Sequence, residues 1–413
     1  MNLSEELQAR GFINQTSNES LSLIFDTEKR VIYHGIDPSA DSAHAGNFVI
    51  WMMLKHLVNH GHRLIFLVGG GTGMIGDPKP DAERVFNTRE AVNDNVVKLK
   101  NQAQKFFGED KVSFVDNYDW LSSLGLITFL RDIGKHFTVN ELIKKDAISR
   151  RLASETGISY TEFAYPLLQA YDYLKLYKES NATLQVGGSD QWGNIISGVD
   201  LVRRVERATV YAVTVPLIID KVTGKKFGKS EGNAVWLAAE KTSPYAFYQF
   251  WLNVEDESVI EYLKLFTFLS LEEIAKLETE TAENPSARIA QKTLAEQVTI
   301  LVHGEDICRQ VKRATSCLFG EVGIKDLTTE EIVVLKANAP LTKINGDILL
   351  LDSLVESGLA ASKREARTFI ESGSVAVNGV KVVDLNYQFT KRSDGELVHV
   401  KRGKKNVALL EIV

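Results

Sequence analysis

Two apolar segments with one amphipathic segment between them constrain the fold of this chain more than any other feature. The first, RVIYHGID at residues 30–37, ends at Pro38, and the second, LIFLVGG, covers residues 64–70. Between them, from His44 until Gly61, apolar residues recur at helical spacing, namely Phe48, Val49, Trp51, Met52, Leu54 and Leu57. A strand, a helix and a strand in direct succession are typical of a parallel βαβ unit, so we predict an α/β fold.

Further strand-like segments extend this unit into a larger sheet. They are KVSFVDN (111–117), ATLQVGG (182–188) and ATVYAVTVPLII (208–219), while the dense helical patterns of residues 118–180 indicate a helical insertion. We therefore predict a doubly wound, parallel-sheet, Rossmann-like domain over residues 1–220, followed by a loop or linker at 221–242.

The second half of the chain changes pattern twice. Residues 243–320 are almost wholly helical in pattern, residues 321–345 have the mixed composition of a linker, and residues 346–413 combine helical and strand-like segments. In the last part, Asn378-Gly379 is a strong signal for a hairpin turn. We predict an α-helical domain, a linker and a small C-terminal α+β domain.

Composition and charge exclude several classes of protein. The 413 residues exceed one ordinary core, and no apolar run approaches the roughly 18 residues of a membrane span. The N-terminus, MNLSEELQARGF, has the pattern of neither a signal peptide nor a transit peptide, and Cys308 and Cys317 form no metal-ligand spacing. We expect a cytoplasmic protein with no membrane contact and no bound metal. Its net charge of −6 argues against a general polyanion binder but not against a local basic surface.

The second strand-like segment runs into a G-x-G-x-x-G pattern formed by Gly71, Gly73 and Gly76. In a dinucleotide-binding fold such a loop opens a helix, but here Asp77-Pro78-Lys79-Pro80 follows, and two prolines prevent a helix from starting there. We therefore reject a dehydrogenase fingerprint. The glycines are expected to let the backbone approach a ligand closely, with Asp77 presented at the strand's carboxyl end.

A second glycine-rich stretch, TGKKFGKS at residues 223–230, falls short of a P-loop. Gly224 lies one residue too close to Gly228, and the residues that follow lack the long helix that a P-loop opens. A hinged loop remains, whose lysines suit anionic oxygens, namely Lys221, Lys225, Lys226 and Lys229. A solvated basic loop is the alternative for a lysine run taken alone.

Three motifs together indicate a family. His44-Ala45-Gly46-Asn47 begins the first helix, GGSDQW at residues 187–192 ends a strand, and KFGKS at residues 226–230 follows the last strand. The combination resembles class I aminoacyl-tRNA synthetases, whose ATP signatures are H-x-G-H and K-M-S-K-S. Longer segments are similar to bacterial tyrosyl-tRNA synthetases in particular, namely YHGIDPSADSAHAGN, NYDWL, ITFLRDIGKHF, TEFAYPLLQAYDYL, GGSDQWGN and KTSPYAFYQFW.

This resemblance implies tyrosine–tRNA ligase activity. L-tyrosine attacks the α-phosphate of ATP, pyrophosphate leaves, and the tyrosyl group of the adenylate passes to the 3′ end of tRNA(Tyr). Because the substrate carboxylate is the nucleophile, the protein has to align the reactants and stabilise charge on the phosphates. ATP enters as a substrate with Mg²⁺, and no tightly bound cofactor is expected.

The resemblance also implies the residues on the nucleotide side. The catalytic set comprises His44, Asn47, Lys226, Lys229 and Ser230. The ATP or adenylate set comprises Gly35, Asp37, Gly46, Gly187, Asp190, Gln191 and Arg84. Asn47 replaces the family's second histidine, but that position serves hydrogen bonding, so we expect activity to survive. The DPKPDAER segment is one residue shorter than usual, so Lys79 has no certain counterpart.

The same resemblance implies which residues bind the substrate tyrosine. Tyr33 and Asp172 face its hydroxyl, Asp77, Tyr165 and Gln169 surround its ammonium group, and Thr72 lies nearby. Tyr165, Gln169 and Asp172 follow i, i+4, i+7 spacing, which puts them on one helix face. The alternative interpretation of this face is a solvated helix surface. A buried acceptor left unpaired would reject phenylalanine. The known discrimination of a tyrosyl enzyme against phenylalanine by this effect is roughly 10⁵-fold.

The other expected partners are tRNA and a second copy of the chain. Basic residues beside a hairpin resemble the S4 RNA-binding module, namely Lys363, Arg364, Arg367, Lys401, Arg402, Lys404 and Lys405. Family members are homodimers, and we expect the interface near residues 118–137. Three alternatives stay open: a tryptophanyl enzyme with the same fold, an RNA-binding protein that has lost catalysis, and, last, a dehydrogenase.

Overall fold

The computed structural model describes residues 1–78, 88–108, 111–154, 157–219, 227, 229–230, 233–344, 346–390, 396–403 and 406–413. The chain divides into two compact units. Unit 1 comprises Met1–Thr242 and Val254–Leu294, and unit 2 comprises Ser243–Asn253 and Ala295–Val413. Among the described residues, no helix is both long and apolar enough to cross a membrane.

A six-stranded sheet forms the centre of unit 1. Its strands are β1 (Gln15–Thr16), β2 (Val31–Ile36), β3 (Arg63–Val68), β4 (Val112–Asp116), β5 (Ala182–Gly188) and β6 (Tyr211–Val215). Their order is β1-β6-β5-β2-β3-β4; strands β2 to β6 pair in parallel and β1 pairs antiparallel with β6. The predicted doubly wound α/β fold is therefore confirmed.

Helices cover this sheet and fill the insertion between β4 and β5. In chain order they are α1 (Leu3–Arg10), α2 (Leu21–Phe25), α3 (Ala45–Asn59), α4 (Arg89–Phe107), α5 (Tyr118–Leu121), α6 (Leu126–Thr128), α7 (Val139–Leu142), α8 (Asp146–Leu152), α9 (Tyr160–Ser180) and α10 (Trp192–Glu206). Helix α3 joins β2 to β3 and buries the predicted apolar residues, among them Phe48 and Trp51. Helix α9 begins at the N-cap Ser159 and ends at Asn181, which has a left-handed conformation.

The glycine stretch after β3 forms a 3₁₀ turn, Thr72–Met74, and the next helix in the described part of the chain is α4. A side chain at Gly69 would place its Cβ 2.3 Å from the Asp37 carboxylate, and one at Gly70 would lie 2.3 Å from the Asp116 carboxylate. At Gly73 the Cβ would meet the Pro38 ring at 2.8 Å. The glycines thus allow close packing of the chain beside three strand ends.

The sequence after β6 contributes further elements to unit 1. Two short antiparallel strands, β7 (Lys229–Ser230) and β8 (Asn233–Ala234), lie within the predicted loop. Helices α12 (Asp256–Phe266) and α13 (Leu271–Glu283) also lie in unit 1. Helix α11 (Pro244–Leu252) comes before them in the chain and belongs to unit 2, and α14 (Ile289–His303) comes after them.

Unit 2 contains α15 (Glu305–Leu318), α16 (Thr329–Asn338), α17 (Leu350–Glu356) and α18 (Lys363–Glu371). Its strands are β9 (Leu341–Ile344), β10 (Ile348–Leu349), β11 (Val375–Val377), β12 (Val380–Lys381), β13 (Gln388–Phe389), β14 (Glu396–Arg402) and β15 (Asn406–Ile412). Five of these form a sheet with the order β12-β11-β14-β15-β9. The predicted hairpin joins β11 to β12, with φ of 47° at Asn378 and 82° at Gly379, as a two-residue type I′ turn requires.

Residues 329–344, which the sequence analysis assigns to a linker, are instead structured. They form α16 and β9, and β9 pairs in parallel with β15 from Leu341↔Leu409 to Ile344↔Ile412. The partner strand lies more than 60 residues further along the chain, so local composition carries no trace of this pairing. The half-buried pattern of LTKI also lacks the alternation by which a strand is predicted.

Candidate functional site

A large cavity opens at the carboxyl ends of the parallel strands in unit 1. Its volume is about 1580 Å³, which exceeds the roughly 300–1,000 Å³ typical of a pocket for one small molecule. Thirteen of the predicted site residues line it: Tyr33, Gly35, Asp37, His44, Asn47, Thr72, Asp77, Tyr165, Gln169, Asp172, Gly187, Asp190 and Gln191. The cavity therefore has room for two substrates side by side.

The carboxylate of Asp172 lies at the buried end of this cavity. Its side chain is 1% exposed and accepts hydrogen bonds from Trp120 Nε1 at 2.7 Å and from Asn117 Nδ2 at 2.9 Å. Burial raises the pKa of Asp172 to about 7, although the two hydrogen bonds act in the opposite direction. The arrangement holds a carboxylate in fixed orientation where a neutral hydroxyl donor can reach it.

Asn117 connects this carboxylate to the glycine stretch. The residue is fully buried; its Nδ2 also donates to Thr72 Oγ1 at 2.9 Å, and its Oδ1 accepts from the backbone N–H of Gly71 at 2.8 Å. One amide side chain thus fixes the orientation of both Asp172 and Thr72. Rigid orientation of this kind favours selection among substrates of similar shape.

Tyr33 lies on β2, on the face of the sheet that α9 covers. It is 1% exposed, and its ring centroid lies 5.7 Å from that of Tyr173. Burial, and after it the nearby Asp172 and Asp37 carboxylates, raise the pKa of Tyr33 well above its usual value. The phenol of Tyr33 stays protonated across the neutral range and can donate a hydrogen bond.

Asp37 accepts hydrogen bonds from two residues that the resemblance places at the substrate tyrosine. Its Oδ1 accepts from Thr72 Oγ1 at 2.7 Å and its Oδ2 accepts from Tyr165 Oη at 2.7 Å. Burial is the main reason why the pKa of Tyr165 is raised well above its usual value, with Asp37 and Asp77 adding to it. Asp37, predicted on the nucleotide side, therefore contacts residues of the amino-acid side as well.

Asp77 contacts the segment that begins α10. Its carboxylate accepts from Gln191 Nε2 at 2.8 Å and from Asn194 Nδ2 at 2.9 Å, and Asn194 also donates to Gln191 Oε1 at 3.2 Å. Asp77 was predicted at the ammonium group and Gln191 near the adenylate, so their hydrogen bond joins the two predicted halves of the site.

His44 is the N-cap of α3. Its Nδ1 accepts from the backbone N–H of Gly46 at 3.0 Å, so in the neutral ring Nε2 carries the hydrogen. Asn47 Oδ1 accepts from the His44 N–H at 3.2 Å, which completes a capping box. A Cβ at Gly46 would lie 2.9 Å from the His44 ring and 3.4 Å from the Phe227 carbonyl, which explains the glycine of this motif.

Phe227 of the KFGKS motif is held in an aromatic cluster. It is 5% exposed, its N–H donates to the Ile218 carbonyl at 2.8 Å, and its ring lies 4.7 Å from Tyr262 and 5.7 Å from Phe266. Lys226, Arg84 and Lys79 lie outside the described residues, and for Lys229 and Ser230 the description is limited to their backbone in β7. The predicted roles of these residues stay predictions.

The glycines and Asp190 at the end of β5 form the wall of the cavity near α10. A Cβ at Gly187 would lie 2.7 Å from Ile195 Cδ1, so glycine allows α10 to pack directly against the strand. Asp190 follows in a 3₁₀ turn and is exposed at the rim. Gly35, on β2, has its Cα beside the Tyr33 ring, with 3.3 Å between an added Cβ and Tyr33 Oη.

The predicted RNA-binding residues lie in unit 2. Lys363, Arg364 and Arg367 are exposed on α18, although Lys363 pairs with Asp352 at 2.6 Å. Two other predicted RNA-binding residues contact protein groups. The Arg402 guanidinium lies 4.7 Å from the centroid of the Phe369 ring of α18, and Lys401 Nζ donates to the Phe319 carbonyl at 2.9 Å. Lys404 and Lys405 lie outside the described residues.

Comparison with known proteins identifies the family. Residues 26–320 match the family model described as tRNA synthetases class I (W and Y), and residues 331–410 match that of the tyrosine–tRNA ligase SYY-like C-terminal domain. A tyrosine–tRNA ligase of Streptococcus pyogenes serotype M12 is 47% identical over 99% of this chain and 100% of its own length. The chain belongs to the tyrosyl-tRNA synthetases of class I.

Solved structures of tyrosyl-tRNA synthetases have the same fold. A C-terminally truncated mitochondrial tyrosyl-tRNA synthetase of Aspergillus nidulans is 30% identical, with a TM-score of 0.70 over 77% of this chain and 94% of that one. A tryptophanyl-tRNA synthetase from Encephalitozoon cuniculi, bound to tryptophan, has a TM-score of 0.57 over 75% of this chain and 89% of that one. At 14% identity, the second likeness shows the fold alone.

Reasoning from the tyrosyl-tRNA synthetase motifs missed several residues that contact the predicted site. Asn117 and Trp120 belong to NYDWL, and Asn194 belongs to GGSDQWGN, so each lay inside a recognised motif without an assigned role. The available signal was chemical: amide and indole donors in mostly apolar surroundings need acceptors, and Asp172 and Asp77 were already predicted in the pocket.

Proposed function

We propose that this tyrosine–tRNA ligase selects its amino acid by a hydrogen bond between the substrate's phenol and Asp172. The observation that carries the proposal is the buried Asp172 carboxylate, oriented by Trp120 Nε1 at 2.7 Å and Asn117 Nδ2 at 2.9 Å. A phenylalanine in the same place would leave the remaining acceptor positions of this carboxylate unsatisfied and away from water, which costs about 1–3 kcal/mol or more for a charged group. Tyr33 supplies a second polar group from β2.

The remaining contacts orient the substrate's α-carbon toward the nucleotide. Asp77 and Gln169 line the cavity beside Tyr165, and together they offer a carboxylate and two oxygen acceptors for an ammonium group. The Asp37 carboxylate, which accepts from Thr72 and Tyr165, keeps the Tyr165 ring in place. The substrate's own carboxylate would then lie toward His44 and Gln191, where ATP has to present its α-phosphate.

Adenylate formation uses ATP, and its electrostatic requirements fit the N-terminus of α3. The Nε2–H of His44 and the positive end of the helix dipole both favour negative charge on phosphate oxygens. By resemblance, Lys226 and Lys229 contribute from the other side, with Arg84 near the ATP. Within the described residues no group of three or more His, Cys, Asp or Glu side chains could hold a metal ion, so Mg²⁺ would enter bound to ATP and water.

We also propose a homodimer. Exposed apolar residues concentrate in and just after the segment predicted as the interface, where Leu126 is 69% and Ile127 is 73% exposed, with Leu130, Val139 and Ile143 following. Exposed large apolar residues concentrated in one segment favour an interaction site there, because isolated ones are the more usual case on a protein surface. Sedimentation equilibrium of Ile127→Asp tests this proposal: a monomer supports it, and an unchanged mass contradicts it.

The tail is proposed to bind tRNA(Tyr) in the cytoplasm, and α18 carries that proposal. Arg364 and Arg367 are exposed there, and Arg402 lies against the same helix through Phe369, so the two predicted basic clusters meet. Phosphate contacts of this kind weaken as salt rises, and each one lost lowers the salt slope by about 1. Titration of tRNA binding at several salt concentrations, with Arg367→Ala against Lys325→Ala as a charge-matched control, tests it.

The experiment that tests the proposed selection is ATP–pyrophosphate exchange with tyrosine, phenylalanine and tryptophan in parallel. Exchange with tyrosine alone is the expected result. Exchange with tryptophan at a comparable kcat/KM would move the tryptophanyl alternative to first place. No exchange with any of the three would mean that Asn47 or the shortened DPKPDAER segment has removed adenylate formation.

A further inference from the structure

The segment that leaves the catalytic loop runs alongside the residues that enter α3. The Ala45 N–H donates to the Val235 carbonyl at 2.8 Å, and the Leu237 N–H donates to the Ala43 carbonyl at 2.9 Å. His44 and Trp236 lie opposite each other in this antiparallel pairing. The exit of the KFGKS loop is therefore hydrogen-bonded to the backbone on both sides of the family's first signature residue.

The side chains of this pair are also in contact. The Trp236 ring packs edge-to-face with the His44 imidazole, with 5.9 Å between centroids and an interplanar angle of 67°. Lys241 Nζ lies 4.7 Å from the Trp236 ring centroid and forms an ion pair with Asp41 at 2.6 Å. Trp236 thus contacts both Lys241, whose ammonium group is paired with Asp41, and the ring of the proposed catalytic histidine.

We propose that Trp236 is a positioning residue for adenylate formation, and that it acts through the His44 imidazole. The inference rests on the proposed role of His44. The hydrogen bond from Gly46 fixes which nitrogen of His44 carries the hydrogen. The edge-to-face contact with Trp236 restricts the tilt of the imidazole ring, so that the Nε2–H direction is set before ATP binds.

The physical reason is that a donor contributes to catalysis only when it is already aimed at the charge that develops. A donor that has to reorient loses part of that stabilisation, although the substrate still binds. The expected defect on losing Trp236 lies in the rate of adenylate formation and not in tyrosine affinity.

The experiment measures single-turnover adenylate formation and tyrosine Kd in the full chain. Trp236→Leu should lower the rate up to about tenfold, the upper end of what an edge-to-face aromatic pair contributes, with tyrosine Kd unchanged. Trp236→Phe restores an aromatic edge and should recover most of the rate. A wild-type rate in Trp236→Leu, or a loss that appears as weaker tyrosine binding, would overturn the proposal.

A double-mutant cycle separates positioning from a general structural role. In a His44→Ala background, Trp236→Leu should cause no further loss of rate, because the group on which it acts is absent. An equal, roughly tenfold loss in both backgrounds would contradict the proposal. If His44→Ala alone kept the wild-type rate, the proposed role of His44 would fail first, so the two failures are distinguishable.

Lys241 and Lys98 provide a matched control. Both pair with Asp41, at 2.6 Å and 3.1 Å, but Lys241 also lies over the Trp236 ring. Lys241→Met should lower the rate about two- to fivefold through the lost cation–π contact, and Lys98→Met should not change it. Equal effects of the two variants would assign the defect to Asp41 and count against Trp236.

Discussion

The two ends of the cavity are built differently. At the proposed phenol end, Asn117 and Trp120 donate hydrogen bonds of 2.9 Å and 2.7 Å to Asp172, and both Asp172 and Asn117 are buried. At the proposed nucleotide end, His44 and Asn47 are partly exposed at the N-terminus of a helix, beside a loop of which only part is described. Both ends hold oriented hydrogen-bonding groups, but selecting an amino acid needs partners that water cannot replace, whereas the other end has to stay accessible to ATP.

The free-energy cost of an unpaired polar group gives a reason for burying the proposed phenol end of the cavity, at Asp172. An unpaired polar group costs little where water can replace the partner, but about 1–3 kcal/mol where water is excluded. Tyrosine and phenylalanine differ by one hydroxyl, so discrimination between them depends on that difference. In the proposed selection, burial of Asp172 enlarges the free-energy difference between the two amino acids, and the hydrogen bonds from Asn117 and Trp120 keep the carboxylate in one orientation.

The largest expected effect comes from Asp172→Ala. Removing the acceptor should reduce the ratio of kcat/KM for tyrosine over phenylalanine by about 10²- to 10³-fold, because selection loses its buried partner. Exchange kinetics with both amino acids measure this ratio. Asp77→Ala is the control: it should weaken both amino acids together and keep the ratio, because the ammonium group is common to them. A ratio unchanged in Asp172→Ala would remove Asp172 from selection.

His44→Ala tests the other end of the cavity. Losing one preorganised donor to a developing charge typically costs about 10²- to 10³-fold, and here we expect about 10² in single-turnover adenylate formation. Tyrosine Kd, measured by equilibrium dialysis, should be unchanged, because the cavity's phenol end is untouched. If tyrosine binding fell in parallel with the rate, the two ends would not be separable and the contrast drawn above would be wrong.

Asn117→Ala tests whether the phenol end acts as one network. Its amide makes four hydrogen bonds, one to Gly71, two to Thr72 and one to Asp172, and truncation removes them all while leaving Trp120 as a donor to Asp172. We expect tyrosine affinity to fall about 10- to 100-fold. The control is Asn95→Ala, since Asn95 makes a half-buried hydrogen bond to the Pro38 carbonyl outside the network. Equal losses in both variants would indicate general destabilisation.

The parts of the molecule that could be predicted from the sequence are those set by local pattern. Strand β5 runs over the predicted residues 182–188, and the helix expected to start near His44 begins at Ala45 with His44 as its N-cap. Motif residues such as Tyr33 and Asp172 line the cavity, and their contacts with the substrate stay predictions.

What could not be predicted depends on contacts between distant segments. Asn117 is 55 residues from Asp172, and β9 pairs with a strand at the far end of the chain. The contact of Trp236 with His44 arises from backbone pairing across almost 200 positions. Periodicity describes one element at a time, so it is silent on such pairings.

Among the tests that compare the two ends of the cavity, the pH dependence of tyrosine affinity gives the smallest expected effect. Burial raises the pKa of Asp172 from 3.8 to about 7, so in the empty pocket this group gains a proton as the pH falls through 7. The ionised form accepts a hydrogen bond from a phenol, so tyrosine Kd should rise about five- to tenfold between pH 8 and pH 6. Isothermal titration across this range measures it, and phenylalanine, which has no hydroxyl, should show no such change.

The sign of the stability change separates this effect from acid unfolding. Because the folded-state pKa of Asp172 is raised, its contribution to the free energy of unfolding is fully present below about pH 4 and is lost as the pH rises through 7. Tyrosine affinity and this part of the stability should therefore change in opposite directions over the same range. If both fell together toward pH 6, the loss of affinity would reflect unfolding and not protonation of the selecting carboxylate.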